Sequence, residues 1–449
     1  MFTCHTSKRR WSVLGQWPVV SDPSETTDNG QRTKGQPHSR PSSPAPRPFA
    51  FTLVEMLVVI TIIGLLASLV SVAAYQGLQA AKRARTQAEI VNMANAIEQY
   101  KQKYGDYPPS FLDHTDLNAR TRMIQHLAKA FPRCNPNVEV WYIPWCDTTK
   151  NTSFYPYLDS SGTVQLWDPA TGNTEGTASA SPLTPAQALV FWLTSISKDP
   201  AHPLSSPTAD RQSFFDFDTS RLTLLSTGSA PGWNTVTVSG TLPTWSAGPT
   251  PASSGAIYPK YNPGAYLPRD GGQQAYVYFE AQCYLFHAMF LPSNYPPPSP
   301  PAATPPLNNP PIPYLSQSTP WDTNGNGVLD VGAPSTTTFD ITTDSSLDII
   351  SKSFSDFQKL CVNPKSFQII CAGADNDFGL ANYITTPVAG SAPGLSAPVA
   401  QTQVHYNGLT LNIYYKSYPD GQGYDTTTNA DDDNLTNFTE KTLGQAKPQ

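Results

Sequence analysis

The sequence predicts an α+β fold: a long N-terminal helix, transmembrane at its start and a stem at its end, packed on an antiparallel β-sheet head with large loop insertions. A charge-free, apolar run extends from Met56 to Ala81, and a helical periodicity continues it to Tyr104. After Tyr104, helix signals come first and strand signals follow. The 45 prolines among 449 residues, against a usual share of about 5%, favour a loop-rich body over a helical bundle or a doubly wound enzyme.

The charge of the chain is unevenly distributed. Lys and Arg number 28 and Asp and Glu 34, so the formal net charge is −6. Residues 1–50 carry seven basic and three acidic side chains, which makes this segment +4 and the remainder −10. An acidic body is a poor partner for nucleic acid, because phosphate contacts need clustered Lys and Arg. The basic, Pro/Ser-rich start and the acidic body are expected to end up in different places.

The apolar run is long enough to cross a membrane. Its 26 residues without charge exceed the roughly 20 that a spanning helix needs. A buried core helix is the alternative to a membrane-spanning helix. A secretory signal peptide fits poorly, because its apolar stretch has only about 7–15 residues. The upstream basic residues predict a cytoplasmic N-terminal side, although Lys82, Arg83 and Arg85 on the other flank oppose that orientation.

Glu55 is out of place at the start of this helix. An unpaired carboxylate among apolar residues costs a few kcal/mol or more in a bilayer, so it indicates a function and needs a partner. If the chain were cut before Phe51, the new α-amino group could meet the Glu55 carboxylate of a neighbouring, axially staggered subunit. The two charges would then neutralise each other and fix the register between helices.

The segment Ala50-Phe51-Thr52-Leu53-Val54-Glu55, followed by Met-Leu-Val-Val-Ile, resembles the prepilin-peptidase site and N-terminal helix of type IV pilins and type II secretion pseudopilins. The resemblance implies cleavage between Ala50 and Phe51, loss of the leader 1–50, and N-methylation of Phe51. Phe51 and Glu55 would then be the assembly residues. Ala50 stands where the family usually has Gly, and the leader is unusually long.

The same resemblance implies a pilin-like fold with three regions: the leader 1–50, the transmembrane and stem helix 51–104, and a periplasmic head 105–449. It implies a non-enzymatic pseudopilin-like subunit, single-pass in the bacterial inner membrane with its N-terminus in the cytoplasm, that assembles into a periplasmic pseudopilus for type II secretion. Its expected partners are copies of itself through the N-terminal helices, minor pseudopilins, the prepilin peptidase, the inner-membrane assembly platform and membrane lipid. A type IV pilin and a membrane-tethered enzyme or binding module are the alternatives.

Individual elements follow from periodicity and capping signals. The stem stripe is predicted at Ala84, Ala88, Val91, Ala94, Ile97, Lys101 and Tyr104, ended by a left-handed Gly105. Further helices are predicted at Asp116–Phe131, after the capping box of Thr184 and Gln187, and at Ser346–Leu360. Strands are predicted at Ser213–Asp218, Ala275–Glu280, Phe367–Cys371 and Leu409–Tyr415. Residues 292–320 hold 12 prolines and predict an irregular loop.

Two acidic loops predict a calcium site. The first contains Asp375 and Asp377, and the second contains Asp431, Asp432 and Asp433. Calcium prefers about 6–8 oxygen ligands from carboxylates and carbonyls on irregular loops. The order of the two loops also resembles the C-terminal calcium loop of the major pseudopilin, with Asn376 in place of Gly and about 50 residues inserted between the halves. A second, EF-hand-like candidate begins at Asp322 but has Ala333 where the last ligand should be.

The cysteines and histidines carry little catalytic signal. Cys134–Cys146 and Cys361–Cys371 are the local disulfide candidates for a head outside the cytoplasm, and other pairings stay open. His114 and His126 are expected to be surface or satisfied structural residues. We find no GxSxG, P-loop or HExxH motif in the sequence.

Overall fold

The computed structural model describes most of the body and all but the start of the long helix. The described residues are 52–113, 116–147, 152–175, 180–194, 196–207, 210–224, 232–240, 242–244, 246–248, 253–270, 272–289, 311–316, 338–340, 358–359, 361–378, 382–383, 403–406, 409–412, 414–418 and 431–446. The predicted helix Ser346–Leu360 lies almost wholly outside them, as do Ala50, Phe51 and the EF-hand-like candidate.

Six α-helices lie in the described part of the chain. They are α1 (Leu53–Tyr104), α2 (Leu117–Ala130), α3 (Pro136–Glu139), α4 (Pro185–Thr194), α5 (Tyr284–Met289) and α6 (Leu443–Ala446). The long helix ends as predicted, because Gly105 adopts a φ of +78° and its N–H donates to the Lys101 carbonyl at 2.7 Å.

Side-chain caps begin α2 and α4, and the cap of α4 is the predicted one. The Asp116 carboxylate accepts from the N–H groups of Asn118 and Ala119 at the start of α2. At the start of α4, Thr184 N–H donates to Gln187 Oε1 at 2.9 Å, and Gln187 N–H donates back to Thr184 Oγ1 at 3.3 Å. This exchange is the predicted capping box.

The strands are short and numerous. They are β1 (Trp145–Asp147), β2 (Thr152–Leu158), β3 (Val164–Trp167), β4 (Thr174–Glu175), β5 (Ala180–Pro182), β6 (Ile196–Ser197), β7 (Arg211–Gln212), β8 (Leu222–Leu224), β9 (Gly232–Thr237), β10 (Ile257–Asn262), β11 (Gly264–Tyr266), β12 (Val277–Glu280), β13 (Tyr314–Ser316), β14 (Thr338–Asp340), β15 (Phe367–Cys371), β16 (Asn382–Tyr383), β17 (Gln403–Tyr406), β18 (Leu409–Asn412), β19 (Tyr414–Tyr418) and β20 (Leu435–Thr436). With the helices, they confirm the α+β class.

Most of the pairing is antiparallel. The largest sheet has the order β4-β3-β2-β1-β5, and a second, three-stranded sheet has the order β12-β15-β20. Two pairs depart from the prediction, since β13 runs parallel to β19 and β14 runs parallel to β17. The remaining antiparallel pairs are β6–β7, β8–β11, β9–β10, β16–β19 and β17–β18.

The chain divides into two units, Met1–Leu69 and Val70–Gln449. The first contributes only the beginning of α1 to the described structure. In the second, the rest of α1 packs on the β12-β15-β20 sheet through Ile90, Met93 and Ile97, which are fully buried against residues such as Tyr278 and Ile369. Polar contacts reinforce this packing.

The main polar contact of α1 is a partly buried ion pair. Both terminal nitrogens of Arg221 donate to the Glu89 carboxylate, at 2.5 and 2.7 Å, and Tyr276 Oη donates to the same carboxylate at 2.8 Å. Although burial opposes ionisation, these bonds lower the pKa of Glu89. Two residues before Glu89, the Gln87 side chain donates to the carbonyls of Thr436 and Thr439. The stem helix is therefore tied to the C-terminal strand region.

Four element predictions need correction. Ser213–Asp218 is not a strand; Phe215 and Phe217 contact each other with tilted rings and both meet Tyr266 edge-on. Leu409–Tyr415 is not one strand but parts of β18 and β19. The proline-rich segment 292–320 contains a strand, β13, since no proline lies within Tyr314–Ser316 and the N–H groups of these residues can pair.

The fourth correction concerns the phase of the stem stripe. The buried residues of α1 are Thr86, Ile90, Met93, Ala96, Ile97 and Tyr100, whereas Val91 is 47% exposed and Ala84 and Ala88 are exposed. The prediction followed a row of alanines. The larger side chains on the neighbouring row remove more apolar area from water, so that row faces the sheet.

Candidate functional site

The two acidic loops meet beside the β15–β20 pair. The loop 372–378 follows β15, and the turn 431–434 precedes β20, the antiparallel neighbour of β15. The backbone N–H groups of Ala374 and Asp375 donate to Asp433 Oδ2 at 2.5 and 3.3 Å. The predicted proximity of the loops is therefore present in the structure.

Asp375 and Asp433 form a close carboxylate pair. Burial and the nearby Asp433 charge together raise the pKa of Asp375 to about 6, and burial also raises the pKa of Asp433. Asn376, which directly follows Asp375 in the first acidic loop, adopts a φ of +60°, the left-handed region that favours Gly or Asn. Its Oδ1 accepts from Gln273 N–H at 2.6 Å, which holds this turn.

Asp431 is separated from that pair and has a protein cation for a partner. Lys416 Nζ lies 3.1 Å from Asp431 Oδ1 and also donates to the Phe378 carbonyl. The side chains of Lys416 and Asp431 are 1% and 0% exposed. Tyr314 Oη donates to the same carboxylate oxygen at 2.5 Å, and Asn434 Nδ2 lies 3.1 Å from Tyr314 Oη. This buried network connects β13, β19, the first acidic loop and the second.

A calcium site built from all five predicted carboxylates does not fit these residues. The ammonium of Lys416 occupies the position beside Asp431 where a dication would be needed, and the Asp432 side chain lies against Gly444. In the described ranges, no group of three or more Asp, Glu, His or Cys residues is arranged to hold a metal ion. The structure places Asp377 N–H on Asp375 Oδ1 at 2.9 Å. Calcium binding stays a prediction, with Asp375 and Asp433 as the adjacent carboxylates.

The cysteine pairs are not disulfides in this structure. Among the described residues, no disulfide joins Cys134, Cys146, Cys283, Cys361 or Cys371. Cys371 packs with the α1-facing row of β15, whereas Cys361 belongs to the cluster on the other side of that strand. Cys134 Sγ is directed at the Leu127 carbonyl. Closeness of two cysteines along the sequence therefore did not predict a disulfide between them in this structure.

One serine–histidine contact has the elements of a nucleophile and base. Ser110 Oγ lies 2.8 Å from His287 Nε2, but the two residues are only 0% and 5% exposed. Ser110 Oγ also accepts from Glu280 N–H at 2.9 Å. The contact is therefore a buried structural bond, and a substrate cannot reach it without local opening.

The first part of α1 presents an apolar surface. Each large apolar side chain from Leu53 to Leu78 is at least 44% exposed. Within the described residues, α1 is the one helix long and apolar enough to cross a membrane. A Cβ at Gly64 would meet nothing within 4 Å, so the fold of a single chain does not need glycine there. An apolar surface of this extent requires lipid or other helices around it.

Glu55 has a local partner that the sequence reading missed. Thr52 N–H and Thr52 Oγ1 both donate to Glu55 Oε2, at 2.8 and 2.9 Å, and Glu55 N–H donates to Thr52 Oγ1 at 3.2 Å. This reciprocal exchange is a capping box at the start of α1. The Thr-x-x-Glu spacing is the signal that could have revealed it. Both bonds to the carboxylate use Oε2, and Oε1 accepts none from the described residues.

Comparison with protein families gives one match, and it falls on this segment. Residues 48–71 match the prokaryotic N-terminal methylation motif. The methylation motif contains Thr52 and Glu55 and also the predicted processing residues Ala50 and Phe51, which lie outside the described structure. It supports a type IV pilin-like or pseudopilin-like chain that a prepilin peptidase processes and that is anchored in a membrane.

The methylation motif covers a small part of the chain, residues 48–71. No curated protein matches this sequence, and no solved structure matches this fold. The methylation motif does not distinguish a pseudopilin from a pilin, so the finer role depends on the residues described above.

Proposed function

We propose that this chain is a pseudopilin-like structural subunit that assembles through α1 into a periplasmic pseudopilus for type II protein secretion. The observation that carries the proposal is Glu55. It lies in a methylation motif, at the start of an exposed apolar helix, where a carboxylate is costly in a bilayer. A charge in that place is explained if assembly brings it an opposite charge.

Processing supplies that opposite charge. Prepilin peptidase cuts between Ala50 and Phe51 and methylates the new amine of Phe51. A carboxylate and an ammonium that meet in low dielectric attract far more strongly than in water. Glu55 of one subunit therefore binds the Phe51 amine of the next and sets the axial register. The Thr52 cap holds Glu55 in place before assembly and leaves Oε1 for the incoming amine.

The acidic loops favour a pseudopilus over a pilus. Their order along the chain resembles the major pseudopilin, and the structure brings Asp375 and Asp433 together. Asn376 stands where that family has Gly, and its φ of +60° is the conformation for which Gly is commonly used. This agreement in backbone conformation supports the resemblance without requiring a bound metal.

The role is mechanical. The subunit adds to a short fibre that pushes folded substrates outward, and a separate cytoplasmic ATPase supplies the energy through the inner-membrane assembly platform. Minor pseudopilins and membrane lipid are the other partners. The long body, residues 105–449, is the feature that favours the alternative of a tethered enzyme or binding module.

Two substitutions separate assembly from capping. Glu55→Gln keeps an acceptor for the Thr52 bonds but removes the charge, whereas Glu55→Ala removes both. We expect both variants to insert and to be cut, and neither to sediment as fibres after gentle solubilisation of the membrane. Glu440→Gln, which changes an exposed carboxylate of the body, serves as the matched control and assembles normally.

The outcomes distinguish the three functions. Normal assembly of Glu55→Gln with failure of Glu55→Ala would reduce Glu55 to a cap, and normal assembly of both would favour a simple tether. Deletion of the gene traps secreted enzymes in the periplasm if the chain is a pseudopilin. Loss of surface fibres or twitching, with secretion intact, would identify a type IV pilin instead.

A further inference from the structure

Lys416 and Asp431 form the most deeply buried ion pair among the described residues. Their side chains are 1% and 0% exposed, and Lys416 Nζ lies 3.1 Å from Asp431 Oδ1. Lys416 belongs to β19, and Asp431 begins the turn before β20, 15 residues later in the chain. Taking two charges out of water is costly, and the attraction between them repays that cost only in part. A reaction that removes both charges would therefore stabilise this part of the fold.

Two neutral donors converge on the carboxylate oxygen that Lys416 contacts. Tyr314 Oη donates to Asp431 Oδ1 at 2.5 Å, and Asn434 Nδ2 lies 3.4 Å from the same oxygen. Tyr314 and Asn434 are 1% and 0% exposed. Donors that are fixed in this way, away from water, stabilise the negative charge that develops on an oxygen during acyl transfer. The arrangement around Oδ1 thus favours attack on the carboxyl carbon by a nucleophile.

The Lys416 amine is placed to be that nucleophile. The Phe378 carbonyl accepts from Lys416 Nζ and holds it beside the carboxylate. Burial disfavours the charged forms of an amine and a carboxyl group, so a proton can pass from Lys416 to Asp431 within the pair. The neutral amine then has a lone pair close to the group that it attacks. Fixed proximity of this kind replaces a collision in solution by a reaction within one molecule.

We propose that the side chains of Lys416 and Asp431 join in an intramolecular amide bond. Nζ attacks Cγ of Asp431, and the electron pair of the C=O bond moves to Oδ1, where Tyr314 and Asn434 donate to it. When that pair returns, the bond from Cγ to Oδ2 breaks. Oδ2 carries the proton first transferred from the ammonium, receives a second proton from Nζ and leaves as water. One ammonium and one carboxylate become one neutral amide and one water, so no proton is exchanged with solvent and no co-reactant is needed.

The bond would close a loop of the chain between β19 and the turn 431–434. A covalent link of this kind restrains the unfolded chain in the way that a disulfide does. Among the described residues no disulfide is formed, so the amide would give the C-terminal region a link that its thiols do not provide. The proposal does not depend on cleavage at Phe51 or on assembly, and it is tested with the full chain whatever its N-terminus.

Peptide mapping of the denatured full chain tests the bond directly. In the sequence, trypsin cleavage after Lys416 releases the peptides 366–416 and 417–441. An amide on Lys416 blocks that cleavage, so we expect one peptide, 366–441, with a mass one water below that of its sequence. Chymotrypsin then cuts after Tyr424, between the two linked residues. Its two products stay joined if the amide is present, and they separate if the water was lost within the acidic run alone.

Three variants separate the amide from the ion pair. Lys416→Arg keeps the positive charge but replaces the amine by a guanidinium, so we expect full mass, normal digestion and a lower Tm. Tyr314→Phe keeps the ring and removes a donor to Oδ1, and we expect the linked fraction to rise several-fold more slowly after synthesis. Lys260→Arg alters the other buried pair, in which Lys260 Nζ lies 2.7 Å from Asp168 Oδ1, and keeps the link.

Recovery of the two separate peptides at full mass from the unaltered chain would overturn the proposal, whether or not any variant folds. A linked peptide lighter by one ammonia instead of one water would also overturn it, because the bond would then be to the Asn434 amide. Formation of the link in Tyr314→Phe as fast as in the unaltered chain would contradict the part assigned to the Tyr314 hydroxyl.

Discussion

His126 is fully buried, with Tyr100 Oη 2.9 Å from its Nε2 and Asp106 Oδ2 3.4 Å from its Nδ1. Burial lowers the pKa of His126 to about 4. The Arg122 guanidinium lies 3.1 Å from the same Asp106 oxygen, and its positive charge also favours the neutral form of His126. The residue is therefore a neutral, hydrogen-bonded part of the core at neutral pH, as expected of a satisfied structural histidine.

This burial predicts a loss of stability in acid. An unfolded His takes up a proton near pH 6.5, but the folded His126 does so only near pH 4. Between these values the unfolded chain binds more protons, so the free energy of unfolding falls as the pH falls. For one group with this shift, the loss from pH 7 to pH 4 is on the order of 3 kcal/mol. The substitution His126→Gln removes this loss of stability in acid and therefore flattens the dependence of Tm on pH.

The control for that experiment is His202→Gln, which changes a histidine whose side chain is 62% exposed. Asp375 acts in the opposite direction, because burial raises its pKa to about 6 and its protonation favours the folded state as the pH falls. Both variants keep Asp375, so the difference between their pH profiles isolates His126. Parallel profiles for the two variants would contradict the assignment.

At the scale of elements, the stem helix offers a direct test of which face is buried. Ile90→Ala removes a side chain that is 0% exposed between α1 and the sheet. We expect it to lower the free energy of unfolding by about 2–5 kcal/mol, the usual cost of such a cavity. Val91→Ala, one position along and 47% exposed, is expected to change it by less than about 0.5 kcal/mol. Chemical unfolding of the full chain in detergent measures both.

The same helix shows what a sequence can and cannot predict. The existence of α1 and its end at Gly105 follow from local chemistry and were predicted, as was the capping box of Thr184 at the start of α4. The face that packs on the sheet depends on which row of side chains buries more area against a partner distant in sequence. The row of alanines from Ala84 to Ala94 fits a helical period equally well, so the face predicted from periodicity alone was wrong.

The acidic loops show the same limit for a site. The sequence indicates two loops and their acidic residues, and the pairing of β15 with β20 brings Asp375 and Asp433 together as predicted. Lys416 was missed because it belongs to neither loop: it lies in β19, 15 residues before Asp431. Its only local signal is a charged residue in a strand rich in tyrosine. Long-range contacts of this kind decide whether an acidic loop is free for a metal.

The buried ammonium makes a specific prediction about the C-terminal loops. Lys416→Met removes the charge but keeps most of the volume, leaving the Asp431 carboxylate buried without its cation. Loss of one partner of a buried pair costs about 3–5 kcal/mol, so a clear fall in Tm is expected. Lys198→Met, from a surface pair 60% and 67% exposed, should cost about 1 kcal/mol or less.

Calorimetry with chelator links this result to the predicted calcium site. Because Lys416 supplies the positive charge beside Asp431, the predicted calcium ion is expected at Asp375 and Asp433 and not at Asp431, and added calcium should raise the Tm of the unaltered chain by several degrees over its value with chelator. An unchanged Tm would contradict the predicted calcium site. Calcium that rescues Lys416→Met alone would place the ion at Asp431, in the position that the ammonium vacates.

At the scale of the whole molecule, the body and the N-terminal segment differ in how they can be interpreted. The body has no match among curated proteins or solved structures, so its cores and loops are understood from their own contacts. The segment 48–71 carries the family signal. A local, strongly constrained motif can be recognised from sequence because membrane insertion and proteolysis each limit the residues that fit.

The motif predicts a defined chemical change in the whole chain. We expect the mature protein to begin at Phe51, with one methyl group on its α-amine, and to lack residues 1–50. Ala50→Gly should increase the rate of cleavage, because it restores the residue usual before the cut, whereas a bulky Ala50→Leu should block it. Intact-mass spectrometry of membrane-extracted protein measures the cleavage site and the methyl group together. A retained leader, or a start elsewhere without the methyl group, would contradict processing and with it the source of the charge that Glu55 needs.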